Sequence, residues 1–192
     1  MFFAGIFILA LQHFRNSQIK ALIISSFLIG AISITAYNTS EIFKNRLDDI
    51  SQHIIEYDEH PNTSVGQRIT FVSNSFQLFK VSPIYGIGTG DFPKEYKKIN
   101  NINSPNVRTT VQPHNMYMLI LVQLGIVGLI SFLWIFIIQF KHSLSSTNKL
   151  TQHIGLAMPI MFLIIMLSDS YLLGHYTSNL FILFSSFIYS QK

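Results

Sequence analysis

The sequence lacks cysteine, and this absence excludes several kinds of site. None of the 192 residues is Cys, so a disulfide framework, a thiol nucleophile and a cysteine-ligated metal are all excluded. Charged residues are also scarce: they make up 11% of the chain, against roughly 25% in soluble domains. Hydrophobic residues make up 49%, and the mean hydropathy is +0.38. This balance is typical of a membrane protein.

The net charge of +4 does not indicate a nucleic-acid partner, because of where the charges lie. The long polar loop 38–112 carries eight basic and eight acidic residues, so its net charge is zero. The excess comes from basic residues outside that loop: Arg15, Lys20, Lys141, Lys149 and Lys192. By the positive-inside rule, the short loops with these residues are cytoplasmic and the long loop lies outside the membrane.

Apolar runs predict the membrane-spanning segments. The longest follows Pro113, His114 and Asn115 and contains no charge before Lys141; about 20 apolar residues suffice to cross a bilayer core. The others are residues 21–37, 154–167 and the short run 178–189. Residues 1–11 are apolar but only about 17 Å long as a helix, so we interpret them as the end of a helix whose beginning is missing.

These runs predict an all-α polytopic membrane protein with four to five transmembrane helices and a helical extracytoplasmic loop domain. The expected division is 1–37 transmembrane, with the first helix truncated, then 38–113 as the loop domain, then 114–192 transmembrane.

The loop contains helical patterns. Residues 39–59 mix charged and apolar positions at the spacing of an amphipathic helix, and 93–98 predict one or two helical turns. Residues 64–80 predict a longer helix, with Ser64 and Gln67 as its capping box. Its apolar positions form one stripe: Val65, Ile69, Val72, Phe76 and Phe79. We expect this helix to lie along the outer membrane surface with the stripe facing the lipid.

His114 and Arg68 are the candidate catalytic residues. His114 precedes a helix start, where the helix dipole favours a neutral imidazole that can accept a proton from a hydroxyl. The alternative is an interfacial histidine that caps the helix. Arg68 lies beside the apolar stripe, where its planar guanidinium can bind a phosphate or extend to the lipid surface.

Glycine-rich residues 86–90 are the candidate substrate-binding turn, together with Asn115. They do not follow a strand, and no Gly-Lys-Ser/Thr is present, so neither the dinucleotide-binding nor the nucleotide P-loop motif applies. The backbone amides of Gly86, Gly88 and Gly90 can bind an anion, or the segment is a plain turn. Asp169 and His175 are too few for a metal site, and a hairpin turn explains them; we expect no metal and no cofactor.

Taken in order, four motifs resemble one family. Residues 66–68 read GQR, 83–92 read PIYGIGTGDF, 113–115 read PHN and 125–129 read GIVGL. This order resembles the C-terminal portion of the bacterial O-antigen ligase and polymerase-like superfamily.

The resemblance implies an inner-membrane glycosyltransferase whose loop is periplasmic. Such an enzyme moves a glycan from an undecaprenyl pyrophosphate carrier to an acceptor, without a nucleotide sugar or an essential metal. The acceptor is a lipid A–core sugar in ligases, the growing polysaccharide in polymerases, and Ser or Thr in protein oligosaccharyltransferases. His114 matches the histidine that activates the acceptor hydroxyl, and Arg68 matches the arginine that holds the pyrophosphate.

The chain departs from the family pattern in extent. The family usually has about a dozen spans and a second important arginine in an earlier loop, so we expect a missing N-terminal transmembrane half and no glycan transfer by these 192 residues alone. A polymerase, a transporter fragment and a non-catalytic remnant are the alternatives. Spans almost free of ionisable residues favour the enzyme over a transporter.

Overall fold

The computed structural model describes residues 2–14 and 17–190, and every regular element in these ranges is a helix, as the sequence predicts. The helices are α1 (Phe2–His13), α2 (Gln18–Thr39), α3 (Glu41–Ile55), α4 (Ser64–Phe79), α5 (Phe92–Asn103), α6 (Met116–Ser145), α7 (Lys149–Ile165) and α8 (His175–Tyr189), with a 3₁₀ turn (Tyr171–Leu173) between the last two.

The chain forms two compact units, Met1–Glu56 and Tyr57–Lys192. In the first, α1 packs on α2, and α2 meets α3. Helix α3 falls within the predicted amphipathic segment and has no buried residue. The second unit holds α4 to α8 and all the candidate site residues. The predicted division at residues 37 and 113 stays a prediction.

Two helices in the described ranges are long and apolar enough to cross a membrane, Ile19–Thr39 and Met116–Ser145. Their surfaces suit lipid, since large side chains such as Phe27 in α2 and Ile130 in α6 are exposed. Helix α7 is a shorter apolar helix. The predicted total of four to five spans stays a prediction.

Helix α6 is broken at Gly125, whose φ of 65° and ψ of −165° are not helical. A break leaves carbonyls of the first half and amides of the second half without helical partners. The loop segment 83–88 supplies both kinds of partner. Two of its N–H groups donate to the first half (Ile87 to Val122 and Gly88 to Gln123), and two of its carbonyls accept from the second half (Pro83 from Ile126 and Ile84 from Val127).

Gly86 and Gly125 make this contact possible because they have no side chain. A Cβ at Gly86 would lie 2.3 Å from the Gln123 carbonyl oxygen, and a Cβ at Gly125 would lie 2.2 Å from the Ile84 oxygen. Both residues also have positive φ, which glycine adopts without strain. The glycine segment, residues 83–88, therefore connects the loop to the broken helix through backbone hydrogen bonds.

Helix α4 has two faces with different surroundings. Its buried residues include Thr70, Phe71, Asn74 and Leu78, which lie on the side of the helix opposite the predicted apolar stripe. None of the stripe residues is buried, and Phe76 is 45% exposed. The helix therefore attaches to the protein mainly by its mixed polar face. Of the stripe, Ile69 and Phe76 are exposed, whereas Val65, Val72 and Phe79 are half-buried.

Three predicted boundaries were wrong. The N-cap of α4 is Thr63, whose side chain accepts from the Gly66 amide, and Gln67 donates instead to the Asn62 carbonyl. Residues 93–98 belong to the longer helix α5. Its last turn is stabilised by the buried side chain of Asn100, which donates to the Val107 carbonyl. The apolar runs predict that one span ends before Lys141 and the next begins at 154, whereas α6 continues to Ser145 and α7 begins at Lys149.

Candidate functional site

The backbone at His114 is held in an uncommon conformation by its neighbours. Its φ is 51°, in the left-handed region that few non-glycine residues adopt. The next residue, Asn115, caps α6 by accepting from the Met118 amide. The start of α6 is also tied to the end of α7, because Met116 donates to the Met166 carbonyl. This anchoring fixes where the imidazole points.

The imidazole of His114 pairs with a carboxylate 55 positions away. Its Nδ1 lies 3.1 Å from Oδ1 of Asp169, and the same oxygen accepts from the Ser170 amide at 2.7 Å. When Nδ1 carries the proton and donates to the carboxylate, Nε2 is left as the acceptor. The side chains are 28% and 35% exposed, so a substrate can reach them. This pair is the arrangement of a general base with its orienting group.

An aromatic ring supports the other side of this histidine. The rings of His114 and Phe71 are stacked with their centroids 5.8 Å apart and their planes 25° apart. Phe71 is 2% exposed and contacts Tyr96 edge-to-face. The imidazole therefore lies between a fixed ring and a fixed carboxylate.

Arg68 occupies the same helix as Phe71, one turn earlier. Residues three apart on a helix are surface neighbours, with Cβ atoms about 5–6 Å apart. Arg68 is exposed, and it has no ion-pair partner among the residues that the structure describes. A guanidinium beside the histidine's stacking partner is suited to bind an anionic substrate group. The pyrophosphate role of Arg68 stays a prediction.

A buried polar network positions helix α4 against α5. Asn74 donates to Oδ1 of Asn100 at 3.2 Å, and Asn100 donates to the Val107 carbonyl at 2.8 Å. Tyr96 donates to the same Asn100 oxygen. Burial raises the pKa of Tyr96 to about 12, against a smaller lowering by its hydrogen bond to Asn74. The network fixes α4, the helix that carries Arg68 and Phe71, against α5 and the segment that follows it.

The candidate substrate-binding residues mostly have structural partners. The amide of Gly86 donates to the Ser82 carbonyl and that of Gly88 to Gln123, so neither N–H points freely at an anion. Gly90 has open space around it and a φ of 91°, and its substrate role stays a prediction. Asn115 uses its oxygen as the helix cap and its amide nitrogen on the Leu167 carbonyl.

Sequence reasoning assigned Asp169 to a hairpin turn and missed its partnership with His114. A signal was present, because Asp169 is the only acidic residue between Tyr96 and the end of the sequence. A lone carboxylate between two apolar runs is a candidate for function in a membrane protein. Within the described ranges, no three His, Cys, Asp or Glu side chains group as metal ligands would.

Comparison with known proteins identifies the family. A family model described as O-antigen ligase matches residues 1–133, which include Arg68, the glycine segment and His114 but not Asp169. An uncharacterized protein of Haemophilus influenzae is 29% identical over 190 residues, which cover 92% of this chain and 46% of that protein. The chain thus spans about half the length of this relative. Because the family model covers more than half of the chain, the chain belongs to the O-antigen ligase family.

Proposed function

We propose that the protein carries the acceptor-activating part of an O-antigen ligase-type glycosyltransferase. The reaction moves a glycan from an undecaprenyl pyrophosphate carrier to a lipid A–core sugar at the periplasmic face of the inner membrane. The observation that carries the proposal is the His114–Asp169 pair, stacked on Phe71 one helical turn from Arg68. The family assignment supports the general reaction class.

In the proposed reaction, Nε2 of His114 takes the proton of the acceptor hydroxyl. The hydroxyl oxygen forms a bond to the anomeric carbon of the donor glycan, and the bond from that carbon to the pyrophosphate oxygen breaks. The pyrophosphate leaves with the bonding electrons, and the guanidinium of Arg68 stabilises its charge. Asp169 keeps the imidazole in the productive tautomer and stabilises the imidazolium that forms.

A polymerase would use the same chemistry with the growing polysaccharide as acceptor, and the site residues suit both substrates. The transporter alternative is less consistent with the structure. The two long apolar helices carry their Lys residues at their ends, whereas a transporter places ionisable residues within its spans.

The test uses the complete gene in a strain that lacks its own ligase. The wild-type gene should restore glycan on lipid A–core, visible as a ladder on a gel, whereas a polymerase would change chain length without restoring attachment. His114→Ala and Arg68→Ala should each abolish transfer with the protein still present in the membrane. His60→Ala and Arg108→Ala, at exposed loop positions, are the matched controls. Wild-type transfer by either site variant would contradict the proposal.

A further inference from the structure

A cavity of about 270 Å³ lies beside the His114–Asp169 pair, with Asp169 as part of its wall. Gln112, two residues before His114, forms one side. Ser170, from the turn between α7 and α8, and Thr177, in the first turn of α8, line it as well. The cavity therefore adjoins the carboxylate that orients the proposed base.

Two buried polar atoms in this wall have no hydrogen-bond partner among the residues that the structure describes. They are Oγ of Ser170, a residue that is 4% exposed, and Oε1 of Gln112. An unpaired buried polar atom is unfavourable, and each one in a folded protein calls for an explanation. The backbone of Gln112 is fixed, because its amide and carbonyl both bond to the Thr110 hydroxyl. Both residues line the cavity, and each carries one unpaired hydrogen-bonding atom that is buried in the cavity wall.

The charge and size of the cavity restrict its ligand. Among the described residues that line it, Asp169 is the only charged one, so a phosphate or pyrophosphate would be repelled. Gln112 Oε1 needs a donor, and Ser170 Oγ can donate or accept; a neutral ligand with hydroxyl groups meets both needs. Sites for drug-sized ligands measure roughly 300–1,000 Å³, so this smaller cavity suits one sugar unit.

We propose that this cavity binds one neutral sugar unit of the acceptor glycan, held by Ser170 and Gln112. The inference rests on the proposed function, because it places the acceptor next to Asp169, the carboxylate that is paired with the proposed base. The donor's pyrophosphate is then kept apart, at Arg68. The sugar unit in the cavity orients the acceptor so that a neighbouring hydroxyl meets His114.

Kinetics of the complete purified protein test this assignment. Ser170→Ala should raise the KM for the acceptor about three- to tenfold, the effect of one lost neutral hydrogen bond. The donor KM and kcat should stay within about twofold. The Tm of Ser170→Ala should be unchanged or higher, because the variant removes an unpaired buried hydroxyl.

Ser168→Ala is the matched control. The Ser168 hydroxyl bonds to the Ile165 carbonyl, and its loss should leave the acceptor KM unchanged. An unchanged acceptor KM in Ser170→Ala, or a lower Tm with a lower kcat, would overturn the proposal.

Binding without turnover separates this inference from the proposed function. Methyl glycosides of glucose, galactose and N-acetylglucosamine serve as probes for saturation-transfer NMR on the His114→Gln protein. This variant needs only to bind the glycosides, not to transfer a glycan to them. A signal that weakens in His114→Gln/Ser170→Ala, and that inorganic pyrophosphate does not displace, supports the sugar site even if transfer fails. Active transfer by the wild type, with no glycoside signal or one that Ser170→Ala leaves unchanged, would show that the cavity holds only water.

Discussion

The ring of Phe71 stacks on the imidazole of His114 with 5.8 Å between their centroids. The contact joins helix α4, which carries Arg68, to the segment that leads into helix α6, where His114 lies two residues before Met116. It therefore connects the proposed anion-binding group to the proposed base. The loop helix α4 positions the site as much as the long apolar helix does.

Loss of this stacking should impair transfer more than it impairs folding. We expect Phe71→Leu to lower kcat about tenfold or more, because a displacement of 1 Å at a reacting group can cost about 100-fold. Phe76→Leu, a change of the same residue type on the exposed stripe, should leave kcat within about twofold. Glycan transfer by the complete protein is the measurement. Equal rates for the two variants would show that the stacking has no part in the reaction.

The planar fork of Arg68 should matter as well as its charge. We expect Arg68→Gln to lower transfer about 100- to 1,000-fold, comparable to the loss of one transition-state donor. Arg68→Lys should recover only part of the rate, because an ammonium group cannot bind a phosphate in bidentate fashion. Arg108→Gln, at an exposed loop position, is the control and should leave transfer within about twofold. Full activity of Arg68→Gln would remove the pyrophosphate role.

The contact between the glycine segment and the broken helix should be sensitive to a single methyl group. Gly86→Ala and Gly125→Ala should each destabilise the protein by about 1–3 kcal/mol, because the new Cβ meets backbone atoms and φ is positive. Thermal unfolding in detergent measures this. Gly30→Ala, inside α2 with open space around it, should instead stabilise by about 0.5–1 kcal/mol. If Gly86→Ala and Gly125→Ala unfold at the wild-type temperature, the loop does not hold the break.

The exposed residues of the α4 stripe, Ile69 and Phe76, should contact lipid. We expect Phe76→Trp, in a protein whose Trp134 is replaced by Phe, to be quenched by brominated phospholipids, because apolar stripes of interfacial helices sit about 5–10 Å into the membrane boundary. Gln77→Trp, exposed on another side of the same helix, should be quenched much less. Equal quenching of the two tryptophans would contradict a lipid-facing stripe.

The helices and the site motifs were predictable from local sequence. Periodic apolar positions gave α4, and long uncharged runs gave α2 and α6. The histidine and arginine stood out because their residue types and positions match a family pattern. Periodicity alone could not show which face of α4 packs against the protein. The buried face contains polar residues such as Thr70 and Asn74, which are held there by hydrogen bonds to residues outside the helix.

Long-range pairings were not predictable. The break at Gly125 depends on backbone groups of the segment 83–88, which is remote in sequence. The apolar run that contains Gly125 and Gly128 is typical of a continuous helix. Asp169 reaches His114 only because the end of α7 is tied to the start of α6. The spacing of residues along the chain does not indicate that two residues so far apart in sequence will be in contact.

The most direct test of the central claim is a double-mutant cycle on His114 and Asp169 in the complete purified protein. It measures transfer from a defined lipid pyrophosphate donor under saturating substrates. His114→Gln should lower kcat about 100- to 10,000-fold, and Asp169→Asn should also lower it strongly, because an amide favours the wrong imidazole tautomer. The double variant should be no slower than His114→Gln, since the carboxylate acts through the imidazole. Wild-type transfer by His114→Gln, or a double variant slowed by the product of the two single effects, would contradict the account.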